Sequence, residues 1–340
     1  MKEQYSQQAV RDTVQFQRVL SDVSNGRDEM NLIDLPVFLL STRSPNGAHV
    51  LEFEREEFDR NIKQPVRRKL TVTGDAKYGL PTAAAEEVYL GLLHHTKAWN
   101  EFADPLVHFS RGELLKTLGW GYRDSAYKRL TRSMDQIAGV RLKCENFWRD
   151  NRAKQYRTVE NISIIDYYRF RDSRNRQTGR FEEYLSEFRW GGAMFESFDA
   201  GYLKRLDLSV ALKLKPLARR LYRILDKHFH PPKRCRLTFD LRNFAQEWLG
   251  MSRSYDVAQI RRYLVPAIEE LVQIGFLRPK SATERFAQKI GWRGHWDVIF
   301  ELKGTSFVQT AARATSRSAS LSARPNRPEL RLFRAGRFVD

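Results

Sequence analysis

The same order of elements is written twice along this 340-residue chain. The first copy reads VHFSRGELLKTLGW and then RDSAYKRLTRSMDQIAGVRLKCENFWRD; the second reads RLTFDLRNFAQEWLG and then SYDVAQIRRYLVPAIEELVQIGFLRPKSATER. Each spells a short strand, a capped helix, a tight turn, a second amphipathic helix and a basic hairpin. Aligning Leu130 with Leu264 also pairs Ala126 with Ile260, Met134 with Ile268 and Ile137 with Leu271, all apolar. The same register pairs the outward Lys128 with Arg262 and Ser125 with Gln259. A core stripe and a polar stripe that recur together mark an internal repeat. A helix-turn-helix backed by a β-ribbon is a winged helix, so the sequence predicts an α+β fold of two tandem winged-helix domains.

Local signals set the boundaries. Ser110 and Glu113 form an S-x-x-E capping box ahead of Leu114, Leu115 and Leu118, and Gly119 and Gly121 punctuate the turn after them. The next helix is expected at about 124–138, followed by strands in VRLKCENFW and QYRTVENISIIDYY around the turn DNRAK. Thr82 is placed to cap a helix over 82–99, Pro216 to open its counterpart PLARRLYRILDKHF, and Asp240 to cap LRNFAQEWLG. Pro266 falls inside the second recognition helix and predicts a bend there. The reading divides the chain into a flexible segment 1–30, a first winged helix 31–172, a linker 173–187, a second winged helix 188–305 and a tail 306–340. The tail carries seven arginines over 311–340 against Glu329 and Asp340, a composition that predicts disorder.

Charge narrows the partner. The formal net charge is +18, and such an excess points to a polyanion, because each neutralised phosphate releases condensed counterions. Ribosomal and RNA-binding proteins share that excess; the helix-turn-helix pattern is what selects duplex DNA. No apolar run reaches the roughly 20 residues of a membrane span. The polar opening MKEQYSQQAVRDTVQFQRVL is unlike a secretory signal, so a cytoplasmic location and no membrane partner are expected. Cys144 and Cys235 are the only cysteines, too few for a disulfide framework, and are expected as strand or core residues.

In a helix-turn-helix the second helix enters the major groove with its N-terminal residues on base edges. The second copy thereby nominates Ser252, Arg253, Ser254, Tyr255, Gln259 and Arg262, with Arg261 flanking on the backbone side. Arginine pairs bidentately with guanine and glutamine with adenine, while serine mostly binds phosphate. The first copy nominates Tyr122, Arg123, Ser125, Lys128 and Arg132. Wing tips add Arg152 and Lys154 in one half, Lys280 and Arg285 in the other. Any one of these is more often a solvated surface charge; the set is favoured because charge sign, helix face and repeat register agree. No Walker loop, G-x-S-x-G or H-E-x-x-H is present, and no catalytic residue, metal or cofactor is expected. His228-Phe229-His230 has the form of a metal pair of a rolling-circle nickase, but alternate residues share a face only on a strand, and this triplet reads as a helix end before Pro231 and Pro232. His94-His95 and the tryptophans read as packing residues.

The segments DEMNLIDLP (28–36), GLPTAAAEEVYLGLL (79–93), FSRGELLKTLGW (109–120), SAYKRLTRSMDQIAGV (125–140), FESFDAGYLKRLDL (195–208), LARRLYRILDK (217–227) and LGMSRSYDVAQIRRYLVPAIEELVQIGFL (249–277) resemble, in this order, the plasmid replication initiator protein A family. That resemblance implies a non-enzymatic protein that binds repeated duplex sites at a plasmid origin. It implies help in opening a neighbouring A·T-rich region and recruitment of host replication proteins such as the helicase-loading machinery, with repression of its own promoter as a compatible second activity. It also implies that Ser252 to Arg262 read the major groove and that the first winged helix serves assembly or auxiliary contact, leaving monomer or homodimer open. A winged-helix transcriptional regulator is the alternative, and a metal-dependent nickase using His228 and His230 the remote one.

Overall fold

A computed structural model of the chain describes residues 15–44, 49–59, 62–174, 181–183, 185–230, 235–289 and 294–303. The expected Arg-rich tail, 306–340, lies outside them. Helix α1 (15–21) and strand β1 (Gly26–Glu29) lead into a short helix α2 (Met30–Ile33). A long hairpin follows, β2 (Val50–Asp59) and β3 (Gln64–Thr73), and then helix α3 (Ala83–Asn100). The first repeat consists of β4 (Leu106–Phe109), α4 (Arg111–Leu118) and α5 (Asp124–Gly139). Strands β5 (Arg141–Glu145), β6 (Arg149–Asp150), β7 (Gln155–Tyr156) and β8 (Val159–Ser163) come next. They are followed by β9 (Ile165–Arg169), β10 (Asp172–Arg174), β11 (Phe181–Glu183) and β12 (Ser186–Trp190).

The second half opens with α6 (Gly192–Asp199), β13 (Leu203–Leu206) and α7 (Leu208–Ala211). The second repeat is α8 (Pro216–His228), β14 (Arg236–Asp240), α9 (Leu241–Asn243), α10 (Val257–Gln273), α11 (Ala282–Arg285), β15 (Phe286–Gln288) and β16 (Trp296–Glu301). Its α9 continues as a wider π turn over Phe244–Trp248, so the expected regular helix is short and distorted. Helix α10 runs from Val257 to Gln273 with Pro266 inside it; proline has no N–H, so the Arg262 carbonyl goes without its intrahelical donor.

Strand pairing carries the repeat further than the residues did. The first repeat's sheet is ordered β4-β12-β9 and the second's β14-β16-β15, antiparallel throughout. In each, the strand before the first helix of the motif pairs with the last strand, which also pairs with a strand that follows the recognition helix: β9, beyond β5 to β8, in the first repeat, and β15 in the second. This is a mixed α/β architecture of several open sheets with winged-helix-like units. The recognition stripes are buried as expected: Ala126, Leu130, Met134 and Ile137 on α5, and Ile260, Leu264, Ile268 and Leu271 on α10. Gly91 lets α3 approach α4, since a Cβ there would stand 2.8 Å from Leu114 Cδ1.

Several expectations about boundaries are corrected by the pairing. Residues 26–29, expected as flexible, form a strand antiparallel to β13, with Asp28 buried. The stretch 173–187, expected as a linker, carries β11 and enters β12, the central strand of the first repeat's sheet. The hairpin expected behind α5 is split: β5 and β8 join β2 and β3 in a separate sheet ordered β2-β3-β5-β8, and β6–β7 is a small hairpin of its own. The ribbon that closes the first sheet therefore runs from β9 through β10 and β11 to β12. Cys144 is buried in β5, whereas Cys235 is exposed ahead of β14.

One core spans both repeats, and arginines stitch it. Arg219, Arg220 and Arg223 on α8 are buried. Arg219 Nε donates to Glu86 Oε2 at 2.9 Å, and Arg223 donates to Glu86 Oε1 at 2.5 Å and to Asp28 at 2.6 and 3.0 Å. Burial opposes charge on Glu86, but Arg219, Arg223 and Arg220 outweigh it and hold its carboxyl down at about 2. Arg220 donates to the carbonyls of Phe38 and Leu249. The β2–β3 hairpin docks on the second repeat in the same manner: Arg55 is buried between the rings of Phe147 and Trp248, 4.4 and 3.7 Å from their centroids.

Candidate nucleic-acid interface

Helix α10 starts at a reciprocal cap. Asp256 accepts from Gln259 N at 2.7 Å, and Gln259 Oε1 accepts from Asp256 N at 2.9 Å. Gln259, nominated to read adenine, thus has its acceptor oxygen committed to the helix end; bidentate pairing would require the cap to open. Arg262 is exposed on the face opposite the buried stripe and lies against Tyr263, 5.2 Å from its centroid. Tyr263 stacks on Tyr255 with centroids 5.1 Å apart, and the Arg262 hydrogen bond lowers its phenol from the ordinary value. Ser252 and Ser254 are exposed and bonded to each other at 2.7 Å. Arg253 is tethered, donating to Glu52 O at 3.0 Å and pairing with Glu247 at 3.1 Å. Arg261 turns to the sheet side, about equally close to the rings of Phe286 and Trp296, at 4.9 and 5.0 Å.

Two expected wing residues of the second repeat are corrected. Arg285 is buried, donating to Ile299 O at 2.9 Å and Arg278 O at 2.8 Å, and Lys280 pairs with Glu301 at 3.0 Å. Both hold the sheet together. Just past β15, Lys289 pairs with Asp240 at 3.0 Å and Asp297 at 3.4 Å.

In the first repeat, Tyr122, Arg123, Ser125, Lys128 and Arg132 are all exposed along the turn and the outer face of α5. Lys128 and Arg132 join Lys77, Tyr78, Tyr127, Thr131 and Asp135 around a shallow groove of about 530 Å³. Sequence reasoning missed Lys77 and Tyr78; their turn is held by Asp75, whose side chain accepts from Lys77 N at 2.7 Å and Tyr78 N at 3.0 Å, and an Asp between glycines 74 and 79 was its signal. Arg152 and Lys154 sit elsewhere. Their turn links β6 to β7 and is tied to α6, through Arg152 to Asp199 and Asn151 Nδ2 to Ala200 O at 2.8 Å, so they are not this recognition helix's wing.

His228, His94 and His95 are held in structural contacts. His228 Nε2 meets Asp34 Oδ1 at 2.9 Å and its ring lies edge-on to Trp248, while His230 is exposed past the helix end, so the two do not face one ion. Asp34, in turn, is held far below the usual carboxylate range: burial opposes this, and Lys227 and His228 override it. His94 and His95 are buried on α3, bonded to Leu20 O at 2.9 Å and Thr117 Oγ1 at 3.3 Å, and burial lowers His95 to about 3.

A helix-turn-helix backed by an antiparallel ribbon, present twice with basic outer faces, is the plan of a winged-helix-like DNA-binding protein. The family model described as replication initiator protein A matches residues 27–269. The chain belongs to the replication initiator protein A family, DNA-binding, non-catalytic initiators of plasmid replication. Two solved structures are similar to part of it. The selenomethionine derivative of domains 2 and 3 of RctB shares 12% identity, over 81% of this chain and 98% of that one, with a TM-score of 0.49. A second structure of RctB domains 2–3 shares 14% identity, over 79% and 97%, with a TM-score of 0.46. No curated protein matches the chain. Among the described residues, no helix is long and apolar enough to cross a membrane.

Proposed function

We propose that the chain binds duplex DNA at a plasmid origin through two winged helices in tandem, promotes opening of neighbouring A·T-rich DNA and recruits host replication proteins. Helix α10 is the main reader, with Arg262 on a base edge, Ser252 and Ser254 on phosphates, and Tyr255 and Tyr263 as an aromatic shoulder. Helix α5 supplies auxiliary contacts through Lys128, Arg132 and Lys77. Repression of the chain's own promoter is compatible with the same binding. The observation that carries the reading is the recurrence of one sheet order behind two recognition helices whose outer faces bear Lys128 and Arg132 in one and Arg262 in the other. Membership of a replication initiator family supports an origin as the target.

The test is equilibrium binding to origin fragments and to random duplex over a salt series. The expected result is a preference for origin DNA of about a thousandfold or more, with affinity on both DNAs falling steeply as salt rises. Equal binding to both at every salt concentration would contradict it.

A further inference from the structure

We propose that Glu87 is the positioning residue that fixes the first recognition helix relative to the second, so that the spacing between two parts of a DNA site is read through this one carboxylate. The inference rests on the tandem-reader function above. Glu87 lies on α3 and its two oxygens face different repeats. Oε1 accepts from Arg219 Nη1 of α8 at 3.1 Å. Oε2 accepts from Trp120 Nε1 at 2.8 Å and from Arg129 Nη2 at 3.3 Å. Trp120 is in the turn between α4 and α5, and Arg129 is on α5 with its guanidinium 3.7 Å above the Trp120 ring. The other end of the relay is also bonded. One turn before Arg219, Lys215 donates its backbone N–H to Glu270 Oε2 of α10 at 3.1 Å and its ammonium pairs with Oε1 at 3.3 Å. From α10 to α5 the path is thus Glu270, the start of α8, Arg219, Glu87, and then Trp120 with Arg129.

Glu86 differs in kind. It is buried and, among the described residues, its side chain bonds arginines of α8 alone, so its loss loosens the whole frame. Glu87 is 17% exposed at the edge of that frame and is the point where the frame meets the reading head. A carboxylate suits the place because both oxygens accept. A glutamine would have to turn its NH₂ toward one of the two donor sets and release it. Releasing either set leaves both helices folded but lets the angle between them vary, and a wider range of geometries lowers the effective concentration of the second head at its half of the site.

The test uses the full chain on a duplex carrying both footprinted parts of the site, at native spacing and with about five base pairs inserted between them, half a helical turn. Each part is also tested with the other scrambled. Wild-type protein is expected to lose about tenfold or more in affinity on insertion, whereas Glu87→Gln loses no more than about twofold, while each part alone is bound within about twofold of wild type. Trp120→Phe keeps a ring beneath Arg129 but deletes the N–H, and is expected to shift the spacing profile in the same direction, with an unchanged melting temperature excluding misfolding. Wild-type spacing discrimination in both variants overturns the inference. Wild-type protein that prefers neither part over random duplex overturns the tandem-reader function itself, a distinct result.

Discussion

A carboxylate enclosed by arginines is worth most when every partner is present, and Glu86 is that residue here. Removing one member of such a buried set leaves the others charged and unpaired, which costs about 3–5 kcal/mol; Glu86→Gln is expected to lower unfolding stability by that amount in urea titrations. The pH dependence follows in sign. The folded-state value near 2 lies below the unfolded value near 4.5, so the contribution is present above the unfolded value and is lost as pH falls from there toward 2. Urea titrations over that range are expected to show a loss of stability that Glu86→Gln shows to a smaller degree. Asp256 makes a more modest claim: Asp256→Ala removes the cap of α10 and is expected to cost about 1 kcal/mol, measurable in the same way, with Gln259 released from its partner. The buried arginines themselves were not legible. Nothing local in LARRLYRILDK sets them apart from solvated arginines, and what buries them stands 133 and 195 residues away in sequence.

Between elements, the proposed function assigns the two recognition helices different kinds of DNA contact. Arg262→Ala is expected to weaken origin binding by about 1–3 kcal/mol and to relax preference at one base position, while leaving random DNA little changed. Lys128→Ala with Arg132→Ala is expected to weaken origin and random DNA alike and to lower the salt slope by about two; mobility shifts across a salt series distinguish the pair. The helices were legible because a period of 3.6 residues marks a buried stripe, and the stripes at Leu130 and Leu264 are buried. The ribbons were not. The run RDSRNRQTGR has no alternating apolar pattern to mark it as strand, yet β10 pairs with β11 across it, and only the short SEFRW beyond it declares a buried strand. One signal was available and unread: Ser281 and Glu284 form a capping box, so a helix turn begins where a wing was expected, and Arg285 ends it pointing inward.

Among the described residues, the two winged-helix-like repeats share one apolar core and are also joined by ion pairs. Asp28, Glu86 and Glu87 come from the first half and Arg219 and Arg223 from the second, and the β2–β3 hairpin reaches across to Trp248 and Arg253. Within that frame, Glu87 is the contact proposed to set the relative placement of the two recognition helices. The repeated order of elements was plain in the sequence; the frame that joins the copies depends on contacts too distant along the chain to be seen there. In the proposed function both helices engage one DNA together, with α10 the principal reader. Hydroxyl-radical footprinting of the full chain on its origin, beside Arg262→Ala and Lys128→Ala with Arg132→Ala, tests it most directly. Two adjoining protected segments are expected, the first variant erasing the sequence-specific one and the second thinning its neighbour. A single segment indifferent to Arg262 would contradict it.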